Sequence, residues 1–130
     1  MKYCIEREKW NKPHYEGHYD KRATQYEGIR CRCGKCEISF VFEAREQKRQ
    51  FELLSRHPFW KPTLCQTCQN EWEEIKPKLQ RYEIKWMSQD LQPSDHKALK
   101  EWLALIELSS SYRKKDYSSR AKMLRKMLPT

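Results

Sequence analysis

Two cysteine pairs, Cys33-Gly34-Lys35-Cys36 and Cys65-Gln66-Thr67-Cys68, carry the residue types and spacing that point to chemistry, with 28 residues between them. Each is a C-x₂-C hook that brings two thiolates to one ion, and two hooks supply the four sulfurs of a tetrahedral Cys₄ site. Such a site is closed. It has no open coordination position from which to activate water, so it builds structure and does not catalyse. The expected cofactor is one structural Zn²⁺ on Cys33, Cys36, Cys65 and Cys68, although iron occupies similar S₄ sites.

The run Cys31-Arg32-Cys33-Gly34-Lys35-Cys36 offers three thiols where two are needed. Only the 33/36 pair mirrors the spacing of 65/68, which leaves Cys31 as a substitute or a bystander. His14 and His18 stand four apart, but Pro13 and Gly17 interrupt a helix there and no carboxylate motif accompanies them. A surface or packing role suits them better than ligation. His57 could replace a cysteine in principle, but four suitably spaced cysteines make it unnecessary.

Other catalytic arrangements are missing from the pattern. A nuclease on this scaffold wants a histidine with a carboxylate or Asn near the second hook, and none stands there. A thiol–disulfide enzyme uses a single C-x₂-C pair in a βαβ context. No catalytic residue and no small-molecule substrate are expected. The N-terminal segment Met1-Lys2-Tyr3-Cys4-Ile5-Glu6-Arg7-Glu8 has no apolar leader core, and no stretch reaches membrane-spanning length. We therefore expect a cytoplasmic protein without a membrane partner, whose thiols stay reduced for metal.

The elements that must hold the hooks can be read in outline. Residues 28–42 look like a hairpin whose turn is the cysteine knuckle, with Ile38-Ser39-Phe40-Val41-Phe42 as its β-branched and aromatic strand. From Glu43 to Arg56 the period becomes helical, with Ala44, Gln47, Phe51 and Leu54 on one face, and His57-Pro58 ends it. A second helix is expected to start at Asn70-Glu71-Trp72-Glu73-Glu74, where carboxylates suit the dipole, and to carry the stripe Trp72, Ile75, Leu79, Tyr82 and Trp86. Pro77 should kink or restart it. Pro93-Ser94-Asp95 signals a further start, followed by the buried face Leu99, Trp102, Leu103 and Ile106. Ser109 to Ser111 should break that helix, and Ala121, Leu124 and Leu128 allow a last, short amphipathic one. Residues 1–30 are rich in aromatics, with Tyr3, Trp10, Tyr15, Tyr19 and Tyr26, and read mostly as loop.

The expected fold is a small α+β zinc-binding domain, zinc-ribbon or treble-clef-like, built from a knuckle hairpin plus helices with a C-terminal helical extension. Its divisions are an aromatic-rich arm at 1–25, a Cys₄ domain at 26–76 and a basic helical extension at 77–130. Charged residues make up 35% of the chain and hydrophobic ones 38%. So polar a chain builds only a thin core, and a metal is the natural staple.

From about Tyr26 to Gln69 the chain resembles the bacterial family described as the probable zinc-ribbon domain. The family pattern is C-x₂-C, an aromatic-rich strand, a helix with Glu-Gln or Gln-Gln and aromatics, then C-x₂-C. Cys33 and Cys36, Phe40-Val41-Phe42-Glu43-Ala44, Glu46-Gln47, Phe51, and Cys65 and Cys68 match it. Glu37 stands where the family has glycine, and Gly34 sits inside the first pair. The resemblance implies a treble-clef-like fold and places the first ligands on Cys33 and Cys36. The family has no established activity, so no function follows from it.

Charge supplies the functional expectation. The formal net charge is +9, about +7 with a Zn²⁺ bound by four thiolates, and most of it lies in residues 111–130. An acidic partner such as DNA or RNA fits that balance. Candidate phosphate contacts are Arg113, Lys114, Lys115, Arg120, Lys122, Arg125 and Lys126, helped by Arg30, Arg32 and Lys35 near the knuckle. The other expectation is a zinc-scaffolded adaptor for a protein partner, which the acidic run Glu71, Glu73 and Glu74 favours.

Overall fold

The computed structural model describes residues 3–12 and 17–129, so Pro13, His14 and Tyr15 lie outside it. It is a small α+β structure whose chain divides into two compact units, Met1–Cys33 with Ile38–Cys65, and Gly34–Glu37 with Gln66–Thr130.

In the first unit, β1 (Ile29–Arg32) and β2 (Ser39–Phe42) pair antiparallel, with Ile29 opposite Phe42 and Arg32 opposite Ser39. The expected hairpin is therefore present, with the first hook in its turn. Alternation gives it one packed face, carrying Ile29, Cys31, Phe40 and Phe42, and one exposed face, carrying Arg30, Ser39 and Val41. The N-terminal arm is bridged to the segment before β1 by an isolated Cys4–Gln25 pairing.

Trp10, Tyr26, Phe42 and Phe51 form the core of this unit. Their rings meet largely edge to face, as between Trp10 and Phe51 at 6.3 Å and between Phe42 and Phe51 at 5.8 Å. The core also holds a polar knot. The Tyr26 hydroxyl donates to Glu52 Oε2 at 2.6 Å and accepts from Trp10 Nε1 at 2.7 Å, while Lys48 Nζ reaches Glu52 Oε1 at 2.9 Å. Burial and the Glu52 carboxylate push the Tyr26 phenol far above its ordinary range.

α1 (Ala44–Lys48) passes into a π-helical turn, Arg49–Leu53. The sequence favours an α-helix reaching Arg56 with Leu54 on its buried stripe; the helix ends earlier and Leu54 is exposed. The wider turn buries the consecutive residues Phe51 and Glu52, so the ring enters the core while the carboxylate meets Tyr26. Beyond the turn, Pro58 meets Gly17, which adopts φ +64° and where a Cβ would lie 2.8 Å from both Cβ and the carbonyl oxygen of Pro58.

The second unit is helical: α2 (Gln66–Met87), α3 (His96–Ser109), a 3₁₀ turn (Ser110–Tyr112) and α4 (Ser118–Met127). α2 begins four residues before the expected Asn70, which places Cys68 inside its first turn. Pro77 neither ends nor restarts it. The proline is exposed, so the Glu73 carbonyl that loses its partner lies on the solvent side. Trp72, Ile75 and Leu79 are buried, and Tyr82 stacks on Trp102 at 5.8 Å with the rings 10° apart. Leu99, Trp102 and Ile106 of α3, with Ala121 and Leu124 of α4, complete this core. The serine run does not stop the chain abruptly. Ser109, Ser110 and Ser111 each donate back to the carbonyl three residues earlier, and α3 tightens into the 3₁₀ turn.

Candidate metal centre

The hairpin turn delivers Cys33 and Cys36, and the start of α2 delivers Cys65 and Cys68. Cys33 is anchored where β1 ends: its N–H donates to the Ile38 carbonyl at 2.9 Å, closing the knuckle. Glu37 then takes φ +65° to return the chain into β2, a left-handed conformation that glycine adopts without strain. At the second hook, Cys68 lies among the N–H groups of the opening helical turn, where the dipole favours a thiolate.

The four Sγ atoms lie within 4.8 Å of one another. Sulfurs held at ~2.3 Å around a tetrahedral ion are about 3.8 Å apart, so a small closure of the side chains completes the geometry. Cys33, Cys65 and Cys68 are 1%, 8% and 4% exposed, whereas Cys36 is exposed. No other group of three or more histidine, cysteine or acidic side chains among the described residues is arranged to hold a metal. The donor set is thus all-sulfur, four in number, and able to coordinate one metal ion.

A polar cluster stands against the knuckle. Lys35, between the two ligands of the first hook, reaches Glu71 Oε1 at 3.2 Å and lies 4.7 Å from the ring centroid of Tyr112. The Tyr112 hydroxyl donates to the same Glu71 oxygen at 2.9 Å. The bond from Tyr112, followed by that from Lys35, holds the Glu71 carboxyl below its ordinary range. Glu71, followed by Tyr112, pushes the Lys35 ammonium up, while burial and then Glu71 raise the Tyr112 phenol. Neither Glu71 nor Tyr112 stood out in sequence as a neighbour of the centre; Glu71 lies three residues after Cys68, one helical turn on, and that spacing is the available signal.

The alternatives at the centre resolve by position. Cys31 sits on β1 opposite Phe40, half-buried against the aromatic core, with Sγ 3.7 Å from the Ile29 carbonyl. Cys4 is exposed at its bridge to Gln25. His18 contacts the Trp60 carbonyl and the rings of Phe51 and Phe59, a packing role. His57 Nδ1 accepts from the Phe59 N–H.

The basic residues are less uniform than their sequence suggests. Arg113, Lys114, Lys115, Lys122 and Lys126 are exposed. Arg120 is half-buried, paired with the Glu83 carboxylate through two nitrogens and set 5.4 Å from the Trp102 ring centroid. Arg125 pairs with Glu107 at 3.2 Å. Lys35 is committed to Glu71, while Arg30 and Arg32 are exposed along β1. No helix of the described residues is long and apolar enough to cross a membrane. No family model, curated protein or solved structure matches this chain.

Proposed function

We propose that this chain is a non-catalytic, zinc-stabilised module of the zinc-ribbon, treble-clef-like kind that binds nucleic acid as an accessory or regulatory component. The observation that supports the metal part of the reading is the convergence of Cys33, Cys36, Cys65 and Cys68 within 4.8 Å. A Cys₄ zinc is saturated by protein, which is why the module is assigned no reaction. Its task falls to the surfaces that the metal-built fold presents.

The nucleic-acid part rests on charge, with exposed Arg113, Lys114, Lys115, Lys122 and Lys126 as the leading phosphate contacts. Arg120 and Arg125 contribute less, because each already faces a carboxylate. Labelled DNA and RNA titrated at two ionic strengths test this. Affinity should fall with added salt, the logarithmic slope being roughly 0.7 to 0.9 per phosphate contacted. No shift at micromolar protein in low salt would remove the reading.

A protein-interaction adaptor is the second reading. It is favoured by apolar side chains left exposed on α2, Ile84 and Met87, and by Leu108 on α3. A partner retained after nuclease treatment separates it from the first.

A further inference from the structure

We infer that Cys36 is the thiolate at which metal exchange and thiol modification begin, and that Lys35, Glu71 and Tyr112 are positioning residues that govern its release. This rests on the metal reading of the centre and goes beyond it, because it assigns the four ligands unequal roles.

The inequality is geometric. Cys33 is buried and tied to Ile38 through the closing bond of the hairpin. Cys65 and Cys68 are buried at the start of a 22-residue helix. Cys36 is exposed, and it follows Lys35, whose side chain is tied down outside the hairpin ladder. The segment Gly34–Glu37 belongs to the helical unit, although strands of the other unit flank it in sequence.

The Lys35 ammonium, the Glu71 carboxylate and the Tyr112 hydroxyl tie this loop to the helices, and all three meet at Glu71 Oε1 or over the Tyr112 ring. Tyr112 is itself fixed. It is buried in the 3₁₀ turn after α3 and lies 6.1 Å from the Trp72 ring. The Tyr112 ring against which Lys35 rests is therefore buried, while the ion pair with Glu71 is polar and near water. Losing the Tyr112 hydroxyl or the Glu71 charge loosens this tie on the residue next to Cys36 and eases release of its thiolate. Because the ion pair is partly exposed, the effect on rate is moderate.

The test uses the full-length protein as purified with its metal. Non-denaturing mass spectrometry first establishes the metal content. N-Ethylmaleimide, added in limiting pulses, then marks the thiols: sulfur bonds to one alkene carbon and solvent supplies a proton to the other. Digestion and mass spectrometry report the rate at each cysteine, and metal release is followed in parallel with a chromophoric chelator. Cys36 should react before Cys33, Cys65 and Cys68. Tyr112→Phe and Glu71→Gln should speed both Cys36 labelling and metal release about three- to fivefold.

Cys4, exposed and outside the site, should label at an unchanged rate in every variant. Glu46→Gln, which removes an exposed ion pair with Arg49, should leave the Cys36 rate and metal release alone. Simultaneous labelling of all four ligands, or Tyr112→Phe and Glu71→Gln rates equal to the parent, overturns the inference while leaving the metal reading standing. A chain purified without metal overturns both.

Discussion

Four sulfurs within 4.8 Å cannot persist as four anions without a cation among them, since like charges at that distance repel strongly away from bulk water. A divalent ion reverses the sign of the problem. Serine at Cys33, Cys36, Cys65 or Cys68 should therefore abolish stoichiometric metal, whereas Cys4→Ser and Cys31→Ser should retain it, as metal analysis of each purified variant will show. Spacing singles out the four cysteines that converge but leaves Cys31 open, because three thiols within six residues satisfy a spacing rule in more than one way. Strand alternation decides it: Cys31 belongs to the packed face of β1, against the aromatic core. Gly17 makes a sharper point at the same scale. Its φ of +64° and a Cβ site 2.8 Å from the Pro58 carbonyl oxygen leave no room for a side chain. Gly17→Ala should cost about 1–3 kcal/mol in urea unfolding. Nothing in the sequence marks that contact, since Pro58 stands far along the chain.

At the scale of elements, the periodic segments were legible and their ends were not. The hairpin over 28–42 and the stripe from Trp72 to Trp86 follow from alternation and helical period, and both are present. Helical period carries the helix after β2 to Arg56 only if one pitch holds throughout, and the π turn at Arg49–Leu53 changes the pitch to bury Phe51 and Glu52 together. The two leucines that follow separate from the stripe. Phe51→Ala should cost about 3–5 kcal/mol, since its ring is wholly buried, whereas exposed Leu54→Ala should stay within about 0.5 kcal/mol. Thermal or urea melts of the two variants check the contrast. Tyr26→Phe should destabilise by about 1–3 kcal/mol, because it leaves the Trp10 indole N–H and one Glu52 oxygen buried without that partner. Tyr26 showed in the sequence only as one aromatic among several. The polar knot it closes joins residues 10, 26, 48 and 52, a constellation no local pattern displays.

For the molecule as a whole, composition accounts for thin cores more directly than it accounts for a partner. A chain with 35% charged residues builds small aromatic and helical cores, and where a small domain binds a structural zinc, the ion contributes on the order of 10 kcal/mol to folding. The net charge of +9 favours an acidic partner such as nucleic acid. Sequence counts charges without showing which are already spent, and the Arg120–Glu83 and Arg125–Glu107 pairs take two of the seven candidate cations into intramolecular contacts. The salt dependence of any nucleic-acid binding should accordingly report fewer phosphates than seven. The metal centre is tested by the mass of the freshly purified 130-residue chain under non-denaturing and then denaturing conditions. One zinc ion per chain is expected in the first spectrum, absent from the second and absent from Cys65→Ser in both. A native spectrum of the parent chain showing no bound metal would contradict it.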